Sequence, residues 1–190
     1  MTKAVPTTAQ MHRVDPEREI VNPVSGERIV IRTSGAETGG RLLAFDLCLP
    51  PAAHVPAGHT HPMQVERFTV LAGRVRFTLG RRAILAAAGD VVEVPSGTPH
   101  WFGNAGPDAA HLRVEVRPAL RTEELLRASA AMAVAGSFFG TRLPRLSDLA
   151  LLLLEFQREL AVPNVPAAVV RNLAASVAWI GRRWVGRVAT

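Results

Sequence analysis

Three imidazoles and one carboxylate carry the chemistry that this sequence can offer: His59, His61, Glu66 and His100. His59 and His61 are separated by a single residue, so on extended backbone they point the same way. Glu66 follows within an apolar, strand-like run, and His100 closes a second such run after a glycine- and proline-rich turn. Neutral imidazoles with a carboxylate suit first-row divalent ions: Fe, Mn, Ni, Co, Cu or Zn. Four protein ligands leave one or two positions open on a five- or six-coordinate ion. An open position admits a small molecule or dioxygen, or permits Lewis-acid chemistry. Glu66 is also a candidate to shift and take a proton, which makes it the expected catalytic residue as well as a ligand.

The elements around these residues are short and punctuated. Strands are expected over 27–33, 41–49, 64–71, 74–79, 82–85, 91–94, 99–102 and 110–116, broken at Gly73, Gly80, Gly89, Pro95, Gly97 and Gly103. Many short strands at such spacing predict a sandwich or barrel. Period-two alternation sends Glu66, Phe68 and Val70 to one face, with Val75, Phe77 and Leu79 on another inward row. His100 and Phe102 share a face that Trp101 does not. Phe45, Phe68, Phe77 and Phe102 are therefore expected in the core. In a hollow barrel they double as walls of a pocket for a small-molecule substrate, with Gln64 at its mouth. Cys48 reads as a small core residue. Arg113, Glu115 and Arg117 read as a solvated face of the last strand. His12, His54 and His111 lie outside the ligand pattern.

After Pro118 the apolar period lengthens to about 3.6. A helix is expected over 121–135. A second opens at Pro144 with Ser147 as its N-cap, carries Leu149, Leu152, Leu153, Phe156 and Leu160 on one stripe, and is broken by Pro163. A third, capped by Asn164, carries Val169, Leu173, Val177, Ile180, Trp184 and Val188. The expected division is an N-terminal arm at 1–26, a β-barrel at 27–118 and a helical extension at 119–190. The extension is expected to pack on the barrel or on the partner of a homodimer. The alternative is membrane-surface contact, since Arg171, Arg182, Arg183 and Arg187 accompany Trp179 and Trp184 on the last helix.

Composition removes several classes. With 48% apolar residues in 190, a real core is expected. One cysteine excludes an internal disulfide and a thiolate zinc cluster. The net charge is +6, but the arginines are scattered and never run beyond pairs, so a nucleic-acid interface is not expected. No apolar leader opens the chain and no run reaches the roughly 18 apolar residues of a spanning helix, so a cytoplasmic protein is expected.

His59, His61, Glu66 and Gly73, then Gly89, Pro95, Gly97, His100 and Asn104, resemble the two motifs of the cupin superfamily. The first motif is G-x5-H-x-H-x3,4-E-x6-G and the second G-x5-P-x-G-x2-H-x3-N. Ala53 stands where the first motif opens on glycine, and Gly58 precedes His59 instead. The resemblance implies a mainly β protein, a double-stranded β-helix or jelly-roll barrel followed here by an α-helical segment. It also implies a divalent transition metal held by His59, His61, Glu66 and His100. The expected function is that of a metal-dependent enzyme, an oxygenase-like oxidoreductase (a dioxygenase) acting on a small, partly apolar molecule. The alternatives are an isomerase, cyclase or lyase that uses the ion as Lewis acid, and a non-catalytic small-molecule binder.

Overall fold

Alternation of apolar and polar side chains sets which face of most strands is buried, and the computed structural model realises it from Glu19 onward, with β-strand runs at 29–31 and 43–45 buried on both faces. It describes residues 15–55, 58–136, 138–139, 143–166, 168–170, 172 and 175. The strands are β1 (Glu19–Val21), β2 (Arg28–Thr33), β3 (Leu43–Leu49), β4 (Val65–Ala72), β5 (Arg74–Leu79), β6 (Arg82–Ala87), β7 (Val91–Val94), β8 (His100–Asn104) and β9 (Ala110–Arg117). They are followed by α1 (Thr122–Val134), a two-residue hairpin of β10 (Phe138–Phe139) and β11 (Leu143–Pro144), and α2 (Leu146–Glu155).

Nine strands form two facing antiparallel sheets, ordered β1-β2-β3-β9-β4-β7 and β6-β5-β8. This is the expected jelly-roll barrel with helices after it. Phe45 and Phe68 flank Val114 in the large sheet, and Phe77 pairs with Phe102 in the small one. Phe68, Phe77 and Phe102 meet between the sheets with ring centroids 5.0–5.7 Å apart, in tilted and edge contacts that aromatic rings favour. The outer face of the large sheet is polar. Asp46 accepts from Arg32 and Arg113, and Glu115 from Arg117 at 2.7 Å. The row Arg113, Glu115, Arg117 is thus a solvated, ion-paired face, and such exposed pairs stabilise by only ~0–1 kcal/mol each.

Several expectations need correction. The sheet begins inside the predicted arm, because β1 pairs with β2 from Glu19↔Val30 to Val21↔Arg28. A strand of three residues between Pro16 and Pro23 is too short to show a period. Cys48 alternates to the outer face, beside His111, and is only half-buried. Arg145, not Ser147, is the N-cap of α2, and its side chain makes no capping hydrogen bond; Ser147 donates to Asp148 inside the first turn. The helix stops at Glu155, well before Pro163, so Leu160 belongs to the segment after it. Asn164 sits in a left-handed turn (φ 62°), and it is the Pro166 carbonyl that accepts from the Val169 and Val170 amides. Only Val169 of the expected third stripe is described; Leu173, Val177, Ile180, Trp184 and Val188, like the arginines and Trp179 near the end, lie outside the described residues. Among the described residues no helix is long and apolar enough to cross a membrane.

Candidate metal centre

Three backbone segments carry the four ligand candidates. Glu66 lies in β4 at the middle of the large sheet, between Val94 of β7 and Val116 of β9. His100 opens β8 in the opposite sheet, across from Leu79. His59 and His61 flank Thr60 on a short extended segment hydrogen-bonded on both sides. His59 exchanges backbone bonds with His100 (3.0 and 2.8 Å), and Thr60 does so with Ala161 (3.0 and 2.9 Å). The two motifs are also tied directly, because the Gly97 amide donates to the His61 carbonyl at 2.9 Å. Two motif residues serve the frame. Gly73 turns β4 into β5 at φ 80°, where a Cβ would come within 2.8 Å of the Ala110 backbone. Asn104 donates to the Leu49 and Pro50 carbonyls at 3.0 Å each, fixing the chain where it leaves β3.

The four ligand atoms lie within 4.8 Å of one another. His61, Glu66 and His100 are buried, and His59 is half-buried toward the mouth. Glu66 Oε2 stands 3.1 Å from both His61 Nε2 and His100 Nε2. Each imidazole is oriented through its other nitrogen: His61 Nδ1–H donates to the Glu159 carbonyl at 2.5 Å, and His100 Nδ1–H to the Thr98 carbonyl at 3.1 Å. A carbonyl only accepts, so the proton sits on Nδ1 and the Nε2 lone pair is left for a ligand role. Burial opposes charge on Glu66, but the facing His61 and His100 outweigh it and hold the carboxyl below its usual range. Burial likewise opposes charge on His61, but Glu66 and the Glu159 carbonyl raise its pKa overall.

The cluster fits an ion. His61 Nε2, Glu66 Oε2 and His100 Nε2 are buried and make no hydrogen bond of proper geometry. Buried polar atoms without partners are costly, and these three converge on one point together with His59. The donor set, nitrogen with one carboxylate oxygen, matches borderline divalent metals. Nδ1 bonds to backbone carbonyls are the outer partners that metal-bound imidazoles need.

The family model for the cupin domain matches residues 45–116, which span both motifs and the strands that carry them. That part of the chain is a cupin domain. Curated proteins give no match to this cupin. Solved structures similar to it include a predicted oxalate decarboxylase from Thermotoga maritima (20% identity, 56% of this chain and 98% of that one, TM-score 0.48). A cupin-like protein from the same organism aligns at 20% identity over 56% of this chain and 76% of that one, with TM-score 0.44. The cupin domain of Cnp3 from Schizosaccharomyces pombe aligns at 15% identity over 52% and 69%, with TM-score 0.45.

Three of the metal candidates, His59, His61 and Glu66, form part of the wall of a cavity of about 320 Å³ between the barrel and the helical extension. Of the expected pocket residues, Phe45, Phe68 and Phe102 line it. Phe77 is not among its lining residues and packs beneath Phe68 and Phe102. Gln64 does not stand at the mouth. It is 1% exposed, and its amide donates to the Pro118 and Ala119 carbonyls and to Thr122 Oγ1, pinning the start of α1 to the first motif. His54 packs against Trp101 outside the barrel, and His111 lies on the outer sheet face. His12 lies outside the described residues. Two participants escape sequence reasoning. Glu27 lines the cavity, and burial pushes its carboxyl up. Glu159 supports His61 through a main-chain atom, which no residue pattern announces.

Proposed function

We propose that this cupin is a metal-dependent enzyme of oxygenase type acting on a small, largely apolar molecule. The supporting observation is that three of the four cluster residues, His59, His61 and Glu66, line an apolar cavity large enough for such a molecule, with His100 beside them in the cluster. His59, His61, Glu66 and His100 would hold the ion, which when bound supplies an electrophilic, redox-capable centre with open positions. The chain's own residues do the remaining work. Phe45, Leu47 and Phe68 keep water from the inner wall. The Glu159 and Thr98 carbonyls keep two Nε2 atoms aimed inward. Glu66, held in its charged form by two imidazoles, is a weak base, which favours a ligand role over the proton-shuttle role expected from sequence.

A second reading has one observation behind it. Glu27 is a cavity carboxyl whose proton affinity burial raises, which suits it to move a proton in an isomerase or lyase that uses the ion as Lewis acid. One experiment separates the two. The full chain, prepared without a chelating tag, is assayed for metal content and then for oxygen uptake with iron(II) and a panel of alkyl carboxylates and 1,3-diketones. Substrate-dependent oxygen uptake is expected. Anaerobic turnover with zinc that Glu27→Gln abolishes moves the assignment to the second reading, and a chain that retains no divalent ion overturns both.

A further inference from the structure

The cavity has two kinds of wall. The barrel contributes Ile29, Phe45 and Leu47, and the extension contributes Leu125, Met132 and Leu152. Beyond the ligand cluster, the polar lining side chains among the described residues are Glu27, Thr122 and Ser129. Thr122 Oγ1 is already engaged by Gln64 at 2.6 Å. Among the described residues no lysine or arginine lines the cavity. A ligand carrying a second anionic group would therefore bury it without a counter-charge and beside Glu27, and a polyhydroxylated ligand would lose water without gaining partners. Both losses are large in an apolar site.

The volume sets the size. About 320 Å³ is room for about ten water-sized units of ~30 Å³ each. That is near the lower end of small-ligand pockets.

We infer that the ligand is a single-headed amphiphile of about ten heavy atoms in all: one oxygen-bearing head at the His59/His61/Glu66/His100 cluster, and an aliphatic body against the helical extension. This rests on the proposal above that the cluster faces the substrate. It goes further by excluding sugar phosphates, dicarboxylates and nucleotides as ligands, and by giving the extension the task of selecting the body. Leu152 is a partly exposed wall position, where a charge is better tolerated by the fold than at the buried Leu125 or Leu153.

The test uses the full chain loaded with cobalt(II) and calorimetric titration with acetate, hexanoate, octanoate, decanoate and octanedioate. Affinity is expected to rise about fourfold per added methylene up to decanoate. Octanedioate is expected to bind at least ~100-fold more weakly than octanoate, since its second carboxylate is buried unpaired. Leu152→Asp is expected to bring decanoate down to the acetate level while cobalt affinity stays unchanged. A flat chain-length series, or octanedioate binding as tightly as octanoate, overturns the inference, and neither outcome depends on the variant folding. Titration of the metal-free chain with 1-decanol separates the two proposals. Saturable decanol binding without cobalt uptake keeps the chamber and removes the metal, whereas cobalt uptake without decanol or decanoate binding does the reverse.

Discussion

His100 takes its orienting hydrogen bond from Thr98, two residues away in its own motif, whereas His61 takes its bond from Glu159, 98 residues along the chain. One half of the cluster is therefore self-contained within the barrel, and the other half is finished by the extension. The segment after α2 is stitched in at three points. The Glu159 carbonyl meets His61, its buried carboxylate accepts from the Arg121 amide at 3.1 Å, and Ala161 pairs with Thr60. Arg121 reinforces the junction, with ion pairs to Glu124 and Glu155 and its guanidinium 4.9 Å from the Phe156 ring. The difference teaches that a two-motif barrel can carry all four ligands and still lack part of what aims them.

That contrast can be broken first at the ligands. His61→Ala and His100→Ala are each expected to weaken cobalt(II) binding by more than the ~10–100-fold that follows loss of an outer partner. Calorimetry of the two variants side by side should give similar losses, and retention of affinity in either one removes that histidine from the site. The second effect is smaller and sharpens the asymmetry. Glu159→Ala frees the segment from Arg121 and is expected to cost about tenfold in cobalt affinity, at the low end of the same range. Glu159→Gln keeps an acceptor and most of the affinity. Thr98→Ala leaves the main-chain carbonyl in place and should change affinity less than about twofold. Equal effects of Glu159→Ala and Thr98→Ala would erase the distinction.

The smallest effect concerns pH in the metal-free protein. The folded-state pKa of His61 is raised, so its contribution to stability is complete below its ordinary value near 6.5 and is lost as pH climbs through the raised value. The folded-state pKa of Glu66 is lowered, so its contribution is present above the ordinary 4.5 and is lost only as pH falls through the lowered value. Metal-free protein should therefore be most thermostable at mildly acid pH and lose Tm toward pH 8, by ~2–4 °C for each kcal/mol of coupling in a chain of this size. His61→Gln should flatten the profile in differential scanning calorimetry.

Much of the barrel was legible because its signals are local. Glycine and proline fall between strands, period-two alternation sets the faces, and eight strands lie within two or three residues of their expected bounds. The clustering of His59, His61, Glu66 and His100 was legible for the same reason, since their spacing is fixed by strand geometry. What was not legible depends on sequence-distant partners. Gln64 looks like any polar residue before a strand, and only the fold shows its amide spending its donors on the start of α1. The leucine stripe at 149–160 announces a buried face, yet nothing in its period tells whether that face meets a packed core or a cavity. Glu159 was hidden most completely, because its bond to His61 comes from the peptide group that every residue possesses.

The return of residues 159–161 to the His59–His61 segment also has a consequence in time. Synthesis proceeds from the amino end, and domains fold as units while it does so. The barrel strands end at Arg117, and about 40 further residues must emerge before Glu159 arrives, a delay of roughly 2–8 s at ~5–20 residues per second. During that interval His61 has no acceptor for Nδ1, and its ring is free to present either nitrogen. The nascent barrel therefore presents His61 without its outer partner until residue 159 has been made.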